Sequence, residues 1–309
     1  MAETKVIYIA GAGRSGSTLL DAILGEIDDA FSLGEARLLW KHLLRYEKPL
    51  CSCGEAIDDC PFWKQVLLKL FNNSLPSKDK LEKLYYLQKI VENIPILNYY
   101  KRNKYLLQNK NELKKYSDFI LNFYKTVAEI SGCKILIDSS KLPHYLYVLK
   151  DLPIELYIIH LVRDPRGVAY SWTKEKYHPA LRSYMKRYHP FTSARLWNIY
   201  NLGILNFKHK NYHLIKYEDL TNNIQASLTC LTHAFNFKPF FNFEKKIFLF
   251  KKKHLVGGNP VKLSFKKEIY IKKDIDWHKK LPLKYKFLVT LLTFPLLKKF
   301  KYPIFKHEK

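Results

Sequence analysis

The stretch that decides the fold is VIYIAGAGRSGSTLLDAILGE, residues 6–26. Val6–Ala10 is a short apolar run that reads as a buried strand, and Ser17–Gly25 starts a helix after a glycine-rich turn. Strand, small-residue turn and helix is the layout of a phosphate-binding loop. In the nucleotide-hydrolase frame G-x-x-x-x-G-K-[ST], Gly11, Gly16 and Thr18 fall into register. The lysine position holds Ser17 instead, and an arginine, Arg14, stands inside the loop. That lysine cradles the β and γ phosphates in ATP and GTP hydrolysis, so its absence argues against such chemistry. No aspartate is clearly placed for magnesium: Asp138 and Asp164 follow strands, but among neighbours that suggest other tasks. A group transfer that requires no metal fits better.

Three further apolar runs, Lys134–Ile137, Glu155–Val162 and Tyr212–Lys216, read as strands. They end in DSSK (138–141), RDPRG (163–167) and YEDL (217–220), and a helix follows from about Val168. Continuous apolar strands alternating with helices predict an α/β fold: a central parallel sheet with helices on both faces, of the P-loop nucleotide-binding type. The polar signatures follow strand ends, where open sheets of this kind bind ligands. Residues 36–130 carry helical spacing, as in Leu81–Ile90 and Leu113–Ile130, and read as a helical insertion on the acceptor side. With no repeats and no low-complexity linker, residues 1–309 read as one domain with a lysine-rich segment over 245–309.

Lys and Arg total 53 against 28 Asp and Glu, a formal charge of +25. This balance suits an anionic ligand, a nucleic acid or an acidic membrane surface. AT-rich codon usage explains it equally well, since only nine of the 53 cations are arginine. The charge total cannot, however, explain where particular arginines fall. No signal-like segment stands at the start. The longest apolar stretch, Phe287–Leu297, is interrupted by Thr290, Thr293 and Pro295, short of the ~18 residues a membrane span needs. A soluble cytoplasmic protein is expected.

Gly13, Arg14, Ser15, Gly16, Ser17 and Thr18 would form the first anion site through backbone N–H groups, hydroxyls and a guanidinium. A second motif, LVRDPRGVAYSW (161–172), pairs Arg163 at a strand end with Ser171 about two turns into a helix. An arginine fork with a hydroxyl suits a second phosphate. The competing reading is a local Arg163–Asp164 ion pair capping the helix, with Pro165 in its first turn.

Together the two motifs resemble the PAPS-dependent sulfotransferases. CSCGEAIDDCPFW (51–63), DSSK, YEDL, HLVGGNP (254–260) and the tail over 277–302 are similar to a bacterial branch of that family, and the resemblance spans nearly the whole chain. It implies that the first loop holds the 5′-phosphosulfate and that Arg163 and Ser171 hold the 3′-phosphate. It also implies that Gly257, Gly258 and Asn259 wrap the nucleotide, so that the basic C-terminal segment completes the site. PAPS would be the co-substrate and PAP the product, with no metal required. Lys262 stands where members of that branch often have arginine, and offers charge without a planar fork. Glu35, in LGEARLLW, resembles the glutamate that serves as base in related enzymes; His144 is the rival. Lys141, beside Ser139 and Ser140, is the candidate second cation near the bridging oxygen. A kinase on the same loop, and a basic nucleic-acid-binding protein, are the alternatives; no nucleic-acid-binding signature is present. Anionic sugars, lipid head groups and phenolic metabolites all suit the acceptor side, and an acidic membrane surface is a candidate peripheral partner.

Cys51, Cys53 and Cys60 form C-x-C-x6-C. Zinc with His42 as a fourth ligand, a redox disulfide, and a structured loop with free thiols are the open readings, the last preferred because no C-x2-C pair is present. Cys133, Cys230 and His160 sit in apolar runs and read as core. KEKYHPALRSYMKRYHPFTSAR (174–195) reads either as a flap over the site or as a solvated amphipathic helix.

Overall fold

The computed structural model describes residues 4–237, 247–249, 254–257, 268–271 and 273–304. Chain order begins β1 (Lys5–Gly11), α1 (Ser17–Leu24), β2 (Ala30–Gly34), α2 (Leu38–Arg45), α3 (Pro61–Leu70), α4 (Lys78–Glu92), α5 (Tyr99–Gln108), α6 (Lys110–Ser131), β3 (Ile135–Lys141) and α7 (Leu146–Leu149). It continues through β4 (Glu155–Val162), α8 (Pro165–Thr173), β5 (Tyr177–His178), β6 (Ser183–Tyr184), α9 (Pro190–Leu205), β7 (Tyr212–Lys216), α10 (Tyr217–Asn222) and α11 (Ile224–Phe235). The final elements are β8 (Ile247–Leu249), β9 (Glu268–Tyr270), α12 (Trp277–Lys280) and α13 (Leu283–Lys299).

Five strands form one parallel sheet in the order β2-β3-β1-β4-β7. The alternation along β1 explains why the sheet must be covered twice. Val6, Tyr8 and Ala10 point into a core with the helices of the 36–130 region, while Ile7 and Ile9 point into a second core with α1 and α11. Within the first core, α4 buries Leu81, Leu84 and Val91, and α6 buries Tyr116, Ile120, Phe123, Tyr124 and Val127, at the helical spacing read from the sequence. Trp40, fully buried, meets Phe119 and Phe123 edge-on. Truncating it to alanine should cost roughly 3–5 kcal/mol.

Four strands were legible as apolar runs; β2 was not. Its sequence, AFSLG, is short and holds a buried Ser32, whose Oγ donates to Asp21 Oδ2 at 2.7 Å. Helix α8 begins three residues earlier than expected. Asp164 caps it by accepting from Arg166 N at 2.9 Å, and Pro165 fills the first position, where a missing N–H costs nothing. The 174–195 stretch is not a single amphipathic helix: β5 and β6 form a small antiparallel hairpin, and α9 starts at Pro190.

His160 is a satisfied core histidine, its ring nitrogens 2.7 Å from Tyr212 Oη and 2.7 Å from Asn201 Oδ1. The core reading of two cysteines is corrected. Cys230 is exposed, because α11 turns Leu228 and Leu231 inward and position 230 outward; Cys133 is half-buried beyond the C-terminus of α6. Among the described residues no helix is long and apolar enough to cross a membrane.

Candidate active site

The carboxyl ends of β1, β3 and β4 open into a cleft of about 550 Å³, a size typical of small-molecule sites. Its floor is the loop between β1 and α1. Gly16 adopts φ 94°, and a Cβ there would sit 2.4 Å from the Tyr217 ring, so the turn needs glycine on both counts. Among the described residues no side chain caps α1, which leaves its first amides for an anion. Gly13, Arg14, Gly16, Ser17 and Thr18 line the cleft. Ser15 does not; its hydroxyl is buried with no hydrogen-bond partner among the described residues.

Arg14 is held in the left-handed region, at φ 70°, with its guanidinium 4.7 Å above the Trp172 ring and Nη2 3.4 Å from Met185 Sδ. Its Nε is buried and unpartnered among the described residues. Burial lowers the pKa of Arg14, and the nearby Glu35 charge opposes that effect. A desolvated guanidinium with an idle donor, facing an open cleft, is arranged to meet an anion.

Arg163, at the end of β4, anchors the other side. Its Nη1 donates to Arg14 O at 3.1 Å, and Nη2 lies 3.0 Å from Asp274 Oδ2 and donates to Asp274 O at 3.2 Å. The guanidinium stands 4.5 Å over Tyr217. The local Arg163–Asp164 pair is therefore not formed. Asp164 instead binds Arg166, Nε to Oδ1 at 2.9 Å and Nη2 to Oδ2 at 2.7 Å, which releases Arg163 toward the cleft beside Ser171. The two aspartates set aside in the sequence are both engaged. Asp138 accepts from Tyr124 Oη at 2.7 Å and Ser140 N at 2.8 Å, and burial, against those donors, pushes its pKa up to about 6.

Across the cleft stands Glu35, buried just beyond β2. Its amide donates to Val256 O at 2.8 Å, and Val256 N donates to Leu33 O at 3.0 Å, so residues 254–257 lie along the outer edge of β2. The Glu35 carboxylate is paired with Lys141 Nζ and lies 3.8 Å from Arg37 Nη2. Lys141, at φ 71°, ends β3 in a left-handed turn that directs it here. Gly257, at φ 61°, packs against the wall: a Cβ would come 2.8 Å from Leu38 Cδ1. Gly258, Asn259 and Lys262 lie outside the described residues. His144 does not line the cleft, and burial pushes its pKa down to about 4.

Several lining residues escaped the sequence reading. Arg37 is one: Nε donates to Ser140 O at 3.1 Å and Nη1 lies 3.2 Å from Glu92 Oε1. Its signal was present, because an arginine is rare in so lysine-rich a chain, and Arg14, Arg37 and Arg163 all reach the cleft. Lys41 and Tyr200, also unread, complete the far wall together with Lys176, His178, Lys186 and Tyr188 from the 174–195 stretch for which a flap was one reading. Burial lowers the pKa of Lys176, helped by the Arg14 charge. His42 also lines the cleft, pushed down to about 3 by burial, and is not part of the cysteine group.

A glycine-rich loop at the carboxyl ends of a parallel sheet, faced by a carboxylate, is the arrangement of the P-loop-like folds. A sequence profile of the sulfotransferase family matches residues 6–238, and the chain belongs to that family. Among solved structures it is similar to the sulfotransferase domain from the curacin biosynthetic pathway, at 19% identity and TM-score 0.54, covering 97% of this chain and 98% of that one. It is also similar to the sulfotransferase domain of the Synechococcus PCC 7002 olefin synthase, at 20% identity and TM-score 0.49, covering 97% and 96%. The first likeness shows the shared fold. No curated protein sequence matches significantly.

Proposed function

We propose that the chain transfers a sulfuryl group from PAPS to a hydroxyl or amine of a small-molecule, sugar or lipid acceptor, releasing PAP. The acceptor atom attacks sulfur in line with the bond to the 5′-phosphate oxygen. That S–O bond breaks, its electron pair stays on the PAP phosphate, and the acceptor proton passes to Glu35. Arg14, the loop amides and the hydroxyls of Ser17 and Thr18 hold the 5′ side and offset charge on the leaving phosphate. Arg163 and Ser171 hold the 3′-phosphate. Lys141 supplies the second cation, and its pairing with Glu35 sets the carboxylate facing the donor loop. Residues 1–309 act as one domain in this reading, because the 36–130 helices share a core with β1.

The observation that carries the reading is convergence. Arg14, Arg163 and Ser171, separated by up to 157 positions, line one cleft opposite Glu35 and Lys141. The test is calorimetric titration with PAP, ADP and ATP–magnesium, followed by turnover of Glu35→Gln with labelled PAPS. Micromolar PAP binding well ahead of both controls is expected. The variant should keep that binding and lose roughly 10²–10⁴-fold in turnover. Preference for ATP–magnesium points to the kinase alternative, and a Glu35→Gln enzyme with normal turnover removes Glu35 as the base.

A further inference from the structure

The three cysteines of the 51–60 loop acquire a partner that their spacing does not reveal. His254 lies 194 positions from Cys60, yet its Nδ1 is 3.1 Å from Cys60 Sγ and 3.9 Å from Cys51 Sγ. Cys53 Sγ is 3.7 Å from Cys60 Sγ. One donor atom from each of the four residues lies within 4.8 Å of every other. Around a tetrahedral zinc ion, bond lengths of about 2.3 Å to sulfur and 2.05 Å to nitrogen put sulfur atoms ~3.8 Å apart and sulfur and nitrogen ~3.6 Å apart. The two observed sulfur–nitrogen separations bracket the second value, and the 3.7 Å between the Cys53 and Cys60 sulfurs lies close to the first.

The loop turns backbone amides toward the sulfurs. The Cys53 amide donates to the Cys51 sulfur, and the Glu55 amide to that of Cys53. Cys60 stands at the N-cap of α3 and receives the amides of Phe62 and Trp63. Backbone donors thus meet each sulfur, as they do where a protein stabilises metal-bound thiolates. The histidine is fixed as well. Its ring stacks on Phe62 at 5.4 Å, and its carbonyl accepts from Trp63 Nε1 at 2.7 Å. A disulfide would join two sulfurs and leave the third thiol and the histidine without a function; a tetrahedral ion uses all four.

We infer that Cys51, Cys53, Cys60 and His254 hold one structural zinc ion that fastens residues 254–257 to the 51–60 loop. Zinc displaces the thiol protons and takes the neutral imidazole through Nδ1, with four protein ligands and no open position for catalysis. The fastening reaches the cleft through the backbone. Ser52 N donates to Leu255 O at 3.2 Å and Leu255 N to Ser52 Oγ at 2.8 Å, and Val256 then binds the Glu35 amide. The ligands act as positioning residues for the Glu35 wall and take no part in the transfer itself.

The experiment is elemental analysis of the full chain, purified without chelator. About one zinc per chain is expected, released by a mercurial that blocks thiols. His254→Ala and Cys60→Ser should lose the metal, His254→Cys should keep it, and Cys133→Ser and Cys230→Ser should be unaffected. Should the ligand variants fail to fold, cobalt exchange into the wild-type chain decides: thiolate-to-cobalt charge transfer with intense tetrahedral bands supports the site. Metal at background, a disulfide within 51–60, iron in place of zinc, or full zinc retention in the ligand variants overturns the inference. Metal content is read without PAPS or turnover, so this test and that of the transfer reaction fail independently.

Discussion

The two walls of the cleft are built by different means. The wall proposed for the donor comes from strand ends: each of β1, β3 and β4 delivers its polar residues in one contiguous motif, with Arg14, Lys141 and Arg163 within a few positions of the strand. The wall proposed for the acceptor comes from the face of α2, the β5–β6 hairpin and α9, contributing Lys41, His178 and Tyr200 from places far apart in sequence. A parallel sheet fixes its strand ends regardless of what is bound. Helix faces and hairpins can be exchanged without disturbing that frame. In the proposed reaction the rigid wall would carry the donor chemistry and the variable one the choice of substrate.

The largest expected break in that comparison is Arg163→Ala. Loss of a charge-assisted contact should weaken PAP at least ~100-fold by calorimetry, with Arg163→Lys in between. Equal PAP affinity in the alanine variant would remove Arg163 from the donor site. Ser171→Ala tests a single hydroxyl on the same wall, and a roughly 3–10-fold weakening of PAP is expected. Lys41→Met sharpens the division from the other side. PAP binding should stay within about twofold, while KM for an acidic acceptor rises roughly 3–10-fold; a matching loss of PAP affinity would merge the two walls. The smallest effect concerns Asp138, whose folded-state pKa of about 6 stands above the ordinary carboxylate value of 3.8. The folded state therefore binds the extra proton, and stability falls as pH rises from about 4 to about 6. In Asp138→Asn that slope should vanish from urea-denaturation midpoints, and an unchanged slope would assign the window to another group.

The same contrast explains what the sequence revealed. Strand runs with polar ends announce the sheet and the donor wall, because backbone geometry places those residues by itself. The short β2 carries Ser32 inward and breaks the apolar pattern. Arg37 went unread beside Glu35, although it is one of only nine arginines. Asp274, which occupies the Arg163 fork, comes 111 positions later with nothing local to signal the pairing. The cysteine triplet was visible, but its fourth donor was not, since spacing rules apply only to ligands close along the chain. His42, nearer in sequence, went to the cleft instead.

The bond between residues 254–257 and the edge of β2 also sets a timetable. At ribosomal speeds of roughly 5–20 residues per second, His254 emerges on the order of ten to forty seconds after Cys60. The sheet strands, β1 to β7, are all made before then. Throughout that interval the three thiols are without His254, open to oxidants and to stray metal ions. A cell short of zinc, or under oxidative stress while synthesising this chain, would meet its weakest moment there, well before any substrate arrives.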